Sequence, residues 1–421
     1  MEAHSSSAGP FFGWRVVAGA FVLAVFGWGL GFYGPPVYMH AAREANGWSV
    51  ALVSTAVTVH YLVGAVVVAN LPGLYGRYGL PAITRCGALM LALGLAGWAA
   101  AREPWQLFAA TLFSGAGWVT MAAAAINAIV SPWFVRLRPK ALSTAYNGAS
   151  IGGVVFAPLL VFLIGHFGFQ TATMTVGLLC LAVIWWLTAS VFGKSPASLG
   201  QHPDGDAAPT AATVATATSI PPLPGGLLWR SWKFRTLAAG MALGLFAQIG
   251  LIAHLFSLVV PALGAQGAGV ATGLATASAI AGRTAFGWLM PAGADRRQMA
   301  ALSYAIQIVG VIVLIASGTQ EPPLIVLGIT LFGFGIGNAT SLPPLIAQAE
   351  FARADTARVV ALIVAIGQAS YAFAPAAFGL VRATTHADGP FPTLEANAMF
   401  AGVIAIKLLA ITACLWGRRS S

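Results

Sequence analysis

Arg283 is the residue whose type and position most constrain its chemistry. It sits in ATGLATASAIAGRTAFGWLM, Ala271 to Met290, a run with no other charge. A guanidinium in hydrocarbon costs about 3 kcal/mol or more. It must therefore face a cavity, a partner, or the aqueous surface about 10 Å along the helix near Met290. The eleven acids, Glu2, Glu44, Glu103, Asp204, Asp206, Asp295, Glu321, Glu350, Asp355, Asp388 and Glu395, all fall at termini, in loops or at the ends of apolar runs. An arginine without an internal counter-charge suits a ligand carboxylate, which its planar fork binds through two parallel hydrogen bonds. A single such cation favours one carboxylate over two. Gly282 and Gly287 are expected to leave space beside it.

His254 lies within FAQIGLIAHLFSLVVP, Phe246 to Pro261. Histidine titrates near neutral pH, so His254 is the interior candidate for carrying a proton or bonding a substrate; a plain hydrogen-bonded histidine is the alternative. Tyr33, Asn127, Tyr146, Asn147, Gln248, Gln368 and Tyr371 are polar residues in apolar surroundings that can complete a pocket, or merely bridge helices. Gln368 and Tyr371 are three apart and share a helix face. Lys407 is the other basic residue inside an apolar run, with snorkelling or pairing to Glu395 as its options.

These residues need elements that hold them in lipid. The 421 residues are 58% hydrophobic and 8% charged, whereas soluble domains carry roughly 25% charged residues. Apolar runs fall at 13–36, 50–72, 82–100, 104–130, 140–165, 170–192, 234–260, 267–290, 298–317, 322–346, 357–381 and 394–416. Each is near the ~20 residues that cross a bilayer. No period-two pattern of short strands appears, which excludes a β-barrel. The expectation is an all-α membrane protein of twelve transmembrane helices in two six-helix bundles, residues 1–193 and 233–421, joined by a flexible linker at 194–232 rich in Pro, Ala, Thr and Ser.

Of the 21 lysines and arginines, sixteen fall in loops on one side and three, Arg43, Arg102 and Arg382, on the other. The excess marks the cytoplasmic face and places both termini and the linker there. The halves echo each other weakly. LFSGAGW, Leu112 to Trp118, parallels LFGFGIG, Leu331 to Gly337. Likewise YNGASIGGVVFAP, Tyr146 to Pro158, parallels IVAIGQASYAFAP, Ile363 to Pro375. Duplicated halves with a site between them are a common transporter plan. Pro35-Pro36, Pro158, Pro261, Pro343-Pro344 and Pro375 lie in or near the runs and are expected to kink them.

The net charge of +10 is spread over short loops without interleaved aromatics, so nucleic acid is not expected as a partner. Cys86, Cys180 and Cys414 have no metal-ligand spacing, and there is no phosphate-binding G-x-x-x-x-G-K motif. Neither an enzyme, a metal nor a cofactor is expected.

GWRVVAGAF, Gly13 to Phe21, and WFVRLRPKALSTAYNGASIGG, Trp133 to Gly153, carry a resemblance over residues 13–416. The chain resembles the major facilitator superfamily, and within it the monocarboxylate porters and the oxalate–formate antiporter-like bacterial proteins. GLYGRYG, Gly73 to Gly79, departs from the superfamily's loop motif, with Gly76 where aspartate is usual. The resemblance assigns Arg283 as the substrate arginine. Ala279 stands where animal members have aspartate, Phe32 where they have lysine, and Gln368 and Tyr371 where oxalate carriers offer a lysine. It implies a monomeric, multi-pass protein of the bacterial inner membrane that moves a small monocarboxylate such as lactate or pyruvate, with a proton, by alternating access. Exchange or uniport of another organic anion, aromatic or dicarboxylic, and a non-transporting anion sensor are the other readings.

Overall fold

The computed structural model describes residues 10–206, 222–291, 293–318, 321–384 and 393–420. The helices of the first half are α1 (Gly13–Gly31), α2 (Gly34–Asn46), α3 (Val50–Tyr78), α4 (Leu80–Ala100), α5 (Pro104–Trp118), α6 (Ala123–Val130), α7 (Arg138–Phe167) and α8 (Phe169–Leu187). The second half has α9 (Trp232–Leu289), α10 (Arg296–Ala316), α11 (Pro322–Ile336), α12 (Asn338–Glu350), α13 (Arg353–Tyr371), α14 (Ala374–Thr384) and α15 (Thr393–Trp416). Local signals set several starts. Ser49 Oγ accepts from Leu52 N at 3.2 Å, Glu103 and Gln106 form a reciprocal cap, and Asp295 accepts from the amides of Arg297 and Gln298.

Eleven segments among the described residues are long and apolar enough to span a membrane, against the twelve expected. The difference lies in α9, where Trp232–Leu255 meets that measure and several side chains between 256 and 272 lie outside the described residues. α9 is two arms joined at Gly264, whose φ of 68° breaks the helical path and favours a residue without Cβ. The arms run in opposite directions. Lys233 O, at the start of the first, accepts from Arg297 Nη2 at 2.8 Å, and Arg297 follows the end of the second by only eight residues. The second arm carries Arg283.

Breaks also occur where the half-repeats match. α5 ends at Trp118, the closing residue of the first LF motif, and α11 at Ile336, one residue before the close of the second, and a short second helix continues each span. The second pair of motifs diverges. Pro158 is accommodated within α7, whereas α13 stops at Tyr371 and α14 begins at Ala374, beside Pro375. At Pro35-Pro36 the chain likewise splits into α1 and α2, the prolines occupying the first turn of α2 where no amide is needed.

The result is two helix bundles in contact. α3 packs on α13, α7 on α9, and α6 and α12 close the middle. Phe12 N donates to Gln201 Oε1 at 3.0 Å, and Trp232 meets Trp416 edge-on at 5.1 Å. Both ends of the described chain and the linker therefore share one face, here the terminal face. The linker's described parts are anchored: Asp204 accepts from the amides of Val135, Arg136 and Leu137, and Leu223 N donates to Asp355 Oδ2 at 2.6 Å.

Arg297 pins the terminal end of the second bundle. It is 1% exposed, makes bonds of 2.6 and 2.8 Å to the two oxygens of Glu350, and donates to Lys233 O, Cys414 O and Thr236 Oγ1. Removing one partner strands the other and three acceptors. Arg297→Ala should destabilise the protein by about 3 kcal/mol, read as a fall of several degrees in the thermal unfolding midpoint in detergent. An unchanged midpoint would remove this pair from the fold's main supports.

Candidate functional site

A cavity of about 140 Å³ lies between the bundles. Its wall is aromatic and aliphatic, with Trp28, Phe32, Trp118, Ile249 and Ile252 among its residues, and its polar side chains include Tyr33, Ser150, Gln248, Arg283, Gln368 and Tyr371. Five of the nine candidates from the sequence thus meet here: Arg283, Tyr33, Gln248, Gln368 and Tyr371. A cavity this size holds about four or five waters' worth of liquid volume. It lies below the roughly 300–1,000 Å³ of drug-sized sites. Only a small solute fits this form.

Arg283 is 4% exposed and does not reach the aqueous surface. It has hydrogen-bond partners in both bundles. Nε donates to Gly337 O at 3.1 Å; Nη1 is shared among Tyr146 O at 2.7 Å, Asn147 Oδ1 at 3.2 Å and Ser150 Oγ at 3.4 Å. The four acceptors come from both bundles and are all neutral. Among the described residues no carboxylate approaches it within ion-pair distance, so its dipolar cage leaves the formal charge uncompensated. Nη2 makes none of these bonds. Gly282 and Gly287 supply close packing rather than free space. A Cβ at Gly282 would strike Phe334 O, and one at Gly287 would strike Ser143 Oγ. These glycines let the second arm of α9 press against α11 on one side and α7 on the other.

The other four candidates lie outside the cavity lining. Tyr146 and Asn127 bond each other, and both donate to Ala123 O, at 3.0 and 2.9 Å. Asn147 Nδ2 donates to Thr284 Oγ1 at 2.8 Å across the bundles. Together with Gln348, whose Nε2 donates to Asn127 Oδ1 at 3.1 Å and Ser131 Oγ at 2.9 Å, they form a polar layer on the terminal side of the cavity. His254 projects from α9 towards α14, with Nε2 3.0 Å from Pro375 O. The histidine expected to meet substrate instead bridges two helices of its own bundle.

On the opposite side the closure is aromatic. Tyr371 packs edge-on against Phe32 at 6.2 Å and Tyr61 at 5.8 Å, and Gln368 Nε2 donates to Tyr61 O at 2.8 Å. His60 behind them is satisfied on both ring nitrogens, by Ser114 Oγ and Gly31 O, each at 2.9 Å. Lys407 neither snorkels nor lines the cavity: it is fully buried, donates to Gly244 O at 2.8 Å and lies 4.9 Å from the Tyr304 ring centroid. The side chain of Glu395, its expected partner, lies outside the described residues.

Sequence reasoning missed Trp28, Trp118, Ser150 and Gln348. Ser150 was within reach of it, four residues after Tyr146 and so on the same face. Gln348 was the lone amide between Pro343-Pro344 and Glu350. The tryptophans carried no signal, because lipid and a cavity select the same side chains. Trp118 Nε1 and Gln248 Oε1 are buried without a hydrogen-bond partner among the described residues, a state costing about 1–3 kcal/mol per group. Both belong to cavity-lining residues.

Comparison with known proteins agrees with this architecture. The chain is 28% identical over 292 residues to the mouse protein Monocarboxylate transporter 11, covering 67% of this chain and 60% of that one. It is 25% identical over 358 residues to MFS-type transporter 1 of Ophiocordyceps sp. (strain BCC 1869), covering 81% and 72%. The crystal structure of the human organic anion transporter MFSD10 (TETRAN) superposes with a TM-score of 0.68 over 95% of this chain and 98% of that one, at 16% identity. The model of the Major Facilitator Superfamily matches residues 7–375, and the chain belongs to that family of membrane transporters.

Proposed function

We propose that this protein is a secondary transporter of a small organic anion, whose carboxylate binds Arg283 in the cavity between the bundles. The observation that carries this reading is a fully buried guanidinium at the cavity wall, held by neutral acceptors from both halves and facing no protein carboxylate among the described residues. The human organic anion transporter and the monocarboxylate transporter among its structural and sequence relatives support an anionic cargo. The surrounding rings and aliphatic side chains suit a cargo with an apolar body, including an aromatic acid. Tyr33, Gln248, Gln368 and Tyr371 would receive its other polar atoms. Both termini are taken to be cytoplasmic, on the excess of basic residues at the terminal face.

Arg283 links binding to movement. The carboxylate competes with Tyr146 O and Asn147 Oδ1 for the same donors, and both acceptors sit on the opposite bundle. A charged acceptor forms a hydrogen bond roughly twice as strong as a neutral one. Cargo therefore draws the guanidinium from its cross-bundle acceptors and loosens the terminal side of the cavity, biasing the equilibrium between closed and open forms. Proton-coupled uptake of a lactate-like monocarboxylate is the narrower reading. The cavity offers it a single cation, but His254, its candidate proton carrier, is bonded to Pro375 O away from the cavity.

Two measurements test this. The high-affinity part of the stabilisation of the purified protein against heat by lactate or benzoate should disappear in Arg283→Ala, and Arg283→Lys should bind at least tenfold more weakly because its ammonium lacks the planar fork. Full affinity in the alanine variant would sink the assignment. In proteoliposomes, His254→Ala should leave counterflow and its response to an imposed pH gradient unchanged. Loss of gradient-driven uptake alone would favour the proton-coupled reading.

A further inference from the structure

A second, larger cavity of about 440 Å³ opens at the terminal face, between α3, α6, α12 and α13. The polar layer separates it from the smaller cavity, through the bonds from Gln348 Nε2 to Asn127 Oδ1 and Ser131 Oγ. Two arginines from opposite bundles line it, Arg138 at the start of α7 and Arg353 at the start of α13. Arg138 spends Nε on Phe134 O at 2.7 Å and Nη2 on Ser131 O at 3.2 Å, leaving Nη1 over. Arg353 is exposed and makes no hydrogen bond or ion pair among the described residues.

Asp204 lies within electrostatic reach of Arg138, but no carboxylate among the described residues forms an ion pair with either arginine. Both oxygens of Asp204 are taken up by the amides of Val135, Arg136 and Leu137, at 2.8–3.3 Å. Asp355 is 8% exposed and accepts from Leu223 N. Arg296 and Arg353 both lie within electrostatic reach of Arg138. A recess with low-dielectric walls and one sign of charge focuses its field and concentrates the opposite ion. Basic residues at this face also record membrane orientation, but that role needs no cavity and no convergence of two bundles on one.

We propose that this vestibule is a second anion site, in which Arg353 and the free Nη1 of Arg138 hold the carboxylate of the transported acid on its way to or from the terminal face. The proposal rests on the reading of the chain as an organic-anion carrier. Because the two arginines belong to different bundles, parting of the bundles on that side pulls the site apart. The anion is then held while the carrier is closed and let go as it opens. Gln348, Asn127 and Ser131 are the partition between the two sites, and Arg283 serves the inner one.

The test is equilibrium binding of radiolabelled benzoate and lactate to the full-length purified protein at low ionic strength. The wild type should show two classes of site for at least one acid. Arg283→Ala should keep the weaker class, and Arg283→Ala with Arg353→Gln should lose it, at least tenfold in affinity. Arg283→Ala with Arg353→Lys should keep it, since the charge remains and the residue is exposed. Size-exclusion profiles matching the wild type certify that each variant is folded. If Arg283→Ala alone abolishes all binding, the vestibule site is overturned while the carrier reading stands. Equal binding by Arg283→Ala with and without Arg353→Gln overturns it as well. A wild type that binds neither acid overturns the carrier reading and the vestibule with it.

Discussion

The guanidinium of Arg283 is held in low dielectric by oxygen dipoles from two separate bundles, and most of the architecture can be traced to that constraint. Four neutral acceptors take hydrogen bonds from its Nε and Nη1 without cancelling its charge. A cage of this kind tolerates an arginine at a depth where a bare one would be expelled, yet leaves an electrostatic demand that an anion meets better than any carbonyl. Since Gly337 O belongs to one bundle and Tyr146 O to the other, the same side chain senses ligand and ties the halves together.

Forming that cage requires irregular backbone inside the membrane. Gly337 lies exactly between α11 and α12, where the span is interrupted and a carbonyl is free to accept from outside its own helix. Its oxygen also receives Thr340 Oγ1 and Ser341 Oγ, each at 3.2 Å. Interrupted helices are affordable in lipid only where neighbouring protein re-satisfies the exposed groups. Here the glycine contacts at Gly282 and Gly287 bring α7, α9 and α11 close enough to do so.

Among the described residues three buried cations divide the labour by their partners. Arg297 has a carboxylate and is a strut. Lys407 has a carbonyl and two aromatic faces, all within its own bundle, and serves as an internal pin. Arg283 alone of these draws acceptors from the opposite bundle. Residue type does not distinguish the three; the ownership of the acceptors does.

Composition and apolar run length alone were enough for the membrane-spanning, all-helical class, because a chain with 8% charged residues cannot make an aqueous surface. The depth of Arg283 and the absence of acids in the spans were equally legible, since both depend only on position along a run. The paired LF motifs even marked the two matched interruptions. Which polar residues meet was decided by tertiary structure. Tyr146 and Asn147 are adjacent in sequence, but a helix turns about 100° per residue; one side chain bonds Asn127 within its bundle and the other reaches Thr284 across the interface. His254 looked central by depth, yet its helix face points to α14. Depth in a membrane is written in one dimension, whereas facing depends on how helices rotate and cross, and that is fixed only when small residues and kinks pack against one another.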